Sequence, residues 1–200
     1  MKRKRGLFIS FEGPDGSGES TQSDLLAKWF KKNKMKVFKT KEPTNNIIGG
    51  IIRTILKKEW KVDLKTFALL FTADRAHHVN TEIEPLLKKG VNVISDRYML
   101  STFVYESDGI PVKWLKQLND PFPKPDLTFV LDVPGKICVE RIAKSRFGFE
   151  LFEKEKQLEE IRNRYKKMEK ILPNVFIIKG YDRTPKEIHE EIVDIVKKHL

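Results

Sequence analysis

Apolar residues along this chain follow two alternating rhythms. Short, nearly unbroken apolar runs recur at Gly6 to Glu12, Met35 to Thr40, Val91 to Ser95, Leu127 to Asp132 and Val175 to Ile178, the form expected of strands buried on both faces of a parallel sheet. Between them the spacing turns helical. Ser20 to Phe30 places Leu25, Leu26, Trp29 and Phe30 on one face, Ile47 to Lys58 follows the polar turn Thr44-Asn45-Asn46, and a longer helical region runs from about Leu64 to Lys89 until Gly90 stops it. Tyr98 to Glu106 and Val112 to Asn119 read as helices, and the proline-rich Asp120 to Asp126 as a loop. Pro134 opens a helix to about Lys144, and a charged stretch, Ser145 to Phe152, separates it from a very polar helix at Glu153 to Lys170. Thr184 to Leu200 closes the chain, with Thr184 as N-cap and Glu187 completing a capping box.

Strands alternating with helices predict an α/β fold, a three-layer sandwich with a five-stranded parallel sheet covered by helices on both faces. The chain has 200 residues, 40% of them hydrophobic, and no proline-rich or low-complexity linker, so one domain spanning 1–200 is expected. In such sheets ligands bind beyond the carboxyl ends of the strands, which directs attention to the residues just after each run.

The first of those ends carries the most information. Gly13-Pro14-Asp15-Gly16-Ser17-Gly18-Glu19-Ser20-Thr21 lies between a strand and a helix and keeps the spacing of a phosphate-binding loop, G-x-x-x-x-G-K-[ST], with Glu19 in the lysine position. Such a loop wraps an anion with main-chain N–H groups at a helix N-terminus, and those amides are expected to act independently of side chain 19. Gly13, Gly16, Ser17, Gly18, Ser20 and Thr21 are the candidate ATP contacts, and Ser20 occupies the magnesium-ligating place. Past the second run lies Glu42-Pro43-Thr44, past the third Asp96-Arg97-Tyr98, and past the fourth Asp132 followed by Arg141 and Arg146. All are expected to face the loop. Asp96 is placed to hold Mg²⁺ directly or through water, and the arginines to stabilise a transferring phosphoryl group.

The formal net charge of +11 calls for an anionic partner, a description that nucleotides, nucleic acid and acidic membranes all satisfy. No recognition-helix motif or base-stacking platform supports nucleic acid, and no apolar run approaches the length of a membrane span. The lone Cys138 forms no internal disulfide and no Cys/His cluster has metal-site spacing, which suits a reducing, cytoplasmic setting.

With these segments in order, the chain resembles the thymidylate kinase family over essentially its whole length. The resemblance rests on the loop Gly13 to Thr21, on Glu42-Pro43, on Leu70-Phe71-Thr72-Ala73-Asp74-Arg75, on Asp96-Arg97-Tyr98 followed by Ser101, and on Pro123-Lys124-Pro125-Asp126-Leu127. It implies a P-loop kinase fold and transfer of the γ-phosphoryl of ATP to dTMP, with Mg²⁺, giving dTDP and ADP. It also implies a homodimer formed through helices within Leu64 to Leu87 and Tyr98 to Glu106. By the same resemblance Phe71 stacks on thymine, Arg75 hydrogen-bonds the base, and Ser101 and Thr102 lie near it. Tyr105 crowds a ribose 2′-hydroxyl, Arg97 contacts the acceptor phosphate, Asp15 lies beside the acceptor, and Glu42 faces the same cleft. A helix from Leu64 places Phe71 and Arg75 at i and i+4 on one face. Some members carry an arginine at the place of Gly16. Here a lid at approximately 141–153 is expected to supply the charge from Arg141, Lys144 and Arg146, with Phe147-Gly148-Phe149 giving it mobility.

Glu19 works against that chemistry. It removes an attraction to the outer phosphates and adds a repulsion, each unit-charge contact at ~4 Å being on the order of 4 kcal/mol at an effective dielectric near 20. Severe impairment is expected, limited if the carboxylate pairs with Arg97 or a lid arginine. Two alternatives stay open: a nucleotide-binding or regulatory paralogue without turnover, and a kinase for another pyrimidine monophosphate.

Overall fold

The computed structural model describes residues 5–145, 151–168 and 170–200. Five strands, β1 (Phe8–Glu12), β2 (Val37–Lys41), β3 (Asn92–Asp96), β4 (Leu127–Asp132) and β5 (Val175–Lys179), form one sheet in the order β2-β3-β1-β4-β5. Every pairing is parallel. The expected five-stranded parallel sheet is thus present, and its strand ends shift from the sequence reading by only one or two residues.

Alternate strand residues feed two cores. Phe8, Val93 and Val130 point to one face, where they meet Phe103, Val139, Leu158 and Tyr165. Ile9, Ile94 and Phe129 point to the other, against Leu26, Phe30, Ile188 and Ile192. The period-two alternation of a strand is why near-continuous apolar runs serve both layers. The second face is covered by α1 (Glu19–Lys32) and α9 (Pro185–Lys197). The first carries α3 (Leu64–His78), α5 (Met99–Tyr105), α6 (Val112–Asn119), α7 (Gly135–Ser145) and α8 (Leu151–Lys167), while α2 (Ile47–Leu56) packs on α3. The Thr184 capping box is formed, its hydroxyl accepting the Glu187 N–H at 3.2 Å while Glu187 accepts the Thr184 N–H at 2.7 Å.

The helix expected from Leu64 to Lys89 is interrupted. Val79–Ile83 is a π-helical turn and α4 (Glu84–Lys88) resumes the helix beyond it. Pro85 has no N–H to give the carbonyl four residues back, which accounts for the break in the α-helical ladder just before it. Gly90 ends the element in the left-handed region, at φ 74°.

Asp126, part of the proline-rich motif, does structural work. It accepts the Phe8 N–H at 2.8 Å and a bidentate pair from Arg5, so it fastens the start of β1. Among the described residues no helix is long and apolar enough to cross a membrane.

The segment after β2 is pinned from α3. Asp74, fully buried, accepts the Thr44 N–H at 2.8 Å and its hydroxyl at 2.6 Å. Asp74→Ala leaves both donors unpaired in the interior and is expected to lower stability by roughly 2–4 kcal/mol, read as a reduced urea midpoint; a midpoint within error of the parent would show that this segment is held by other contacts.

Candidate active site

The strand order places the carboxyl ends of β1 and β3 side by side, with Phe11 opposite Asp96. The residues that follow them therefore meet. Arg97 donates its main-chain N–H to the Phe11 carbonyl at 2.8 Å and has φ 67°, a left-handed conformation that costs a non-glycine residue on the order of 1 kcal/mol and more. Its guanidinium is thereby held beside the loop. Nη1 donates to the Gly13 carbonyl at 2.9 Å, and Nη2 donates to Asp15 at 2.7 Å and to Glu19 at 2.6 Å.

The loop itself is drawn tightly against α7. Gly16 has φ 85°, and a Cβ there would lie 2.8 Å from the Cys138 carbonyl oxygen and 2.9 Å from Ile142, so this position has no room for the arginine seen in part of the resembling family. Gly13, at φ 156°, would set a Cβ 2.4 Å from the Ser17 hydroxyl.

Glu19 turns inward. Only 5% exposed, it accepts the Gly18 main-chain N–H at 3.1 Å as well as the Arg97 guanidinium. The expectation that the loop amides act independently of this side chain is corrected here: one of them is spent on it. Burial pushes the Glu19 carboxyl above its usual value, against the pull of Arg97.

Two clefts that share Asp15 and Arg97 open at this end of the sheet. The smaller, about 210 Å³, is lined by Asp15, Glu42, Phe71, Arg75, Arg97, Ser101, Thr102 and Tyr105, so the residues expected at an acceptor site all come together. Phe71 and Arg75 do share one face of α3. Arg75, 1% exposed, is held by Glu42 through Nε (2.9 Å) and Nη2 (2.7 Å), by Thr102 at 3.0 Å and by Asn119. Glu42 also meets His78 at 3.1 Å. The larger cleft, about 510 Å³, is lined by Asp15, Gly16, Glu19, Ser20, Asp96, Arg97, Arg141 and Lys154. Ser20 donates to Asp96 at 2.5 Å across its edge.

The other loop positions divide. Ser17 is buried, its main-chain N–H closing a turn onto the Pro14 carbonyl, and Gly18 is the α1 N-cap at φ 106°, whereas Thr21 points to solvent. Arg141 reaches the loop and donates to the carbonyls of Ser17 (3.1 Å) and Gly180 (2.9 Å). Arg146 and the rest of 146–150, the middle of the expected lid, lie outside the described residues. Asp132 does not join the cleft. It pairs with Arg162 and with Lys166 at 3.2 Å, which hold its carboxyl below the usual range although burial alone would raise it.

Sequence reasoning passed over several groups. Glu12 lies beneath the loop and accepts the Ser101 hydroxyl at 2.5 Å and the Tyr98 N–H at 3.0 Å. Tyr165, from α8, hydrogen-bonds Ser101 at 2.8 Å. Glu106, Phe67 and Leu56 line the smaller cleft, and Lys154 the larger. Only Glu12 left a trace in the pattern, a charge closing an apolar run immediately before Gly13.

A five-stranded parallel sheet in this order, with a glycine loop from β1 to α1 beneath two adjoining clefts, defines a P-loop kinase of the nucleotide-binding α/β class. The model of the family "Thymidylate kinase" matches residues 11–192. The chain is 39% identical over 203 residues to a probable thymidylate kinase of Pyrococcus abyssi, with 98% of each chain covered. It is 40% identical to one of Pyrococcus horikoshii, again over 98% of each, and 39% identical to a thymidylate kinase of Thermosipho africanus over 97% of this chain and 99% of that one. The chain belongs to the thymidylate kinase family.

The site also carries a pH signature. Burial pushes the Glu12 carboxyl up to about 7, with the Ser101 hydrogen bond and Arg97 opposing. A folded value above the ordinary 4.5 means that the folded protein holds a proton the unfolded chain has released. This contribution to stability is full below about 4.5, is lost as pH rises towards 7, and changes no further above that. In Glu12→Gln, whose amide oxygen still accepts the Tyr98 N–H while its NH2 donates to the Ser101 hydroxyl oxygen, the loss of stability between pH 4.5 and 7.5 should shrink by about 1 kcal/mol or more in urea titrations; an undiminished loss would assign the slope to other groups.

Proposed function

We propose that this chain transfers the γ-phosphoryl of ATP to the 5′-phosphate of dTMP, with Mg²⁺, and that Glu19 makes the transfer slow. One observation carries the reading: Asp15 and Arg97 line both clefts. An acceptor nucleotide in the smaller cleft and a polyphosphate in the larger would bring their charged ends to the same guanidinium. Phosphoryl transfer asks for positioning and charge neutralisation, and a fixed cation between two anions supplies both.

In this reading Phe71 offers an aromatic face to the base, Tyr105 closes the sugar end, and the loop amides orient the donor phosphates. Ser20 and Asp96 suit a hard divalent cation: their donors are oxygens, they touch at the cleft edge, and Mg²⁺ commonly takes few protein ligands and keeps several waters. When bound, it would neutralise charge on the phosphoryl oxygens. Arg97 must first loosen its pairing with Glu19 and Asp15 to meet a phosphate, and that competition is the physical form of the impairment. A homodimer through the exposed part of α3, where Leu64 and Leu69 are about half exposed, and a cytoplasmic setting complete the reading. The apolar side chains of α5 are spent in the core, so α3 carries the pairing surface.

A second reading, nucleotide binding without turnover, is favoured by the same carboxylate, which occupies both a loop amide and the bridging arginine. Glu19→Lys separates the two. We expect dTMP-dependent ADP formation to rise by roughly tenfold to a hundredfold, and an unchanged rate would leave binding as the function. For the acceptor cleft, Phe71→Ala should weaken dTMP binding by about tenfold in calorimetry while ATP affinity stays level; loss of neither would move the base elsewhere.

A further inference from the structure

Most polar side chains lining the smaller cleft are already committed. Each nitrogen of Arg75 donates to Glu42, Asn119 or Thr102, and Glu42 also meets His78. Asp15 is held by Arg97, Ser101 by Glu12 and Tyr165, and the Tyr98 hydroxyl donates to the Pro123 carbonyl at 3.1 Å. Glu106 differs. It is 3% exposed, it lines the cleft, and among the described residues its carboxyl group has no hydrogen-bond or ion-pair partner. A buried carboxyl without a partner is costly, and it opens here on a space walled by Leu56, Phe67 and Phe71.

We propose that the Glu106 carboxyl group reads the imide edge of the acceptor's pyrimidine, its O–H donating to a ring carbonyl while its C=O accepts the adjacent ring N–H. The inference rests on the acceptor cleft proposed above and adds a further group that contacts the base. A carboxylic acid offers one donor and one acceptor side by side, the complement of an imide's carbonyl and N–H. An ionised carboxylate has lost the donor and opposes the carbonyl, so only the protonated form fits.

The surroundings favour that form. Burial, unopposed by any nearby charge, pushes Glu106 up to about 7. The charged and titratable groups around the cleft are Asp15 from the loop, Glu42 after β2, Arg75 from α3, and Arg97, Tyr98 and Tyr105 at the two ends of α5. Asp15 pairs with Arg97 and Glu42 with Arg75, and no charged side chain of α6 or α8 lines the cleft among the described residues. Arg164 of α8 is turned to Asp108.

Calorimetry of the full chain with dTMP at pH 6 and pH 8 tests this without requiring turnover. Relative to Glu106→Gln, whose amide keeps a donor and an acceptor but does not titrate, the parent should lose about tenfold in affinity between the two pH values. Ionisation of the dTMP phosphate, near pH ~6, is common to both proteins and cancels in the ratio. Parallel pH dependences would overturn the inference while leaving the acceptor cleft intact. So would a folded Glu106→Leu that binds dTMP as tightly as the parent at pH 6. If that variant fails to melt cooperatively, the Gln comparison decides. No dTMP binding by the folded parent at either pH would remove the acceptor assignment and this inference together, with ATP binding as the control that the chain is intact.

Discussion

The site is organised by one guanidinium. Arg97 follows β3 in a left-handed backbone conformation and is locked by the Phe11 carbonyl, and from there its side chain spans the Gly13 carbonyl, Asp15 and Glu19. That single placement joins the loop to the smaller cleft and sets the electrostatics of both. With a lysine at position 19 the bridging arginine would face one carboxylate, Asp15. With Glu19 it faces two, one of them buried, and its positive charge is largely compensated from within.

The smaller cleft solves its own charge problem by a network. Arg75 is almost wholly buried, a position tolerable only because Glu42, Thr102 and Asn119 satisfy it, with His78 completing the other side of Glu42. Such networks are rigid when every member is satisfied and costly when one is missing. The network fixes part of the wall of the cleft that Phe71 also lines. Glu106 lies outside it, and its isolation is what distinguishes it from the other polar groups of the cleft.

Much of this was legible before any coordinates. The five strands, the loop, the helix of Val112–Asn119 and the Thr184 cap follow from local rules of period, breaker residues and capping, which need no knowledge of distant partners. The residues grouped as an acceptor site do share one cleft, because Phe71 and Arg75 lie one helical turn apart and Arg97, Ser101 and Tyr105 recur at helical spacing after β3. Less was legible where a contact spans layers. Asp132 ends a strand like Asp96, yet it is taken by Arg162 and Lys166 of α8, and nothing local distinguishes the two aspartates. Asn119 and Tyr165 reach the site from helices whose patterns announce only packing.

The sequence by itself determined the layers, the glycine loop and the identity of the charge that stands in it, since these depend on periodicity and spacing along the chain. Tertiary structure decided where that charge goes: inward onto the Gly18 amide and Arg97, not out to solvent. It also decided which carboxylates are paired and which, like Glu106, are buried alone. The physical reason is that pairing and desolvation are set by neighbours brought together from β1, β3, α3 and α5, and no local pattern encodes which of several equivalent side chains will find a partner.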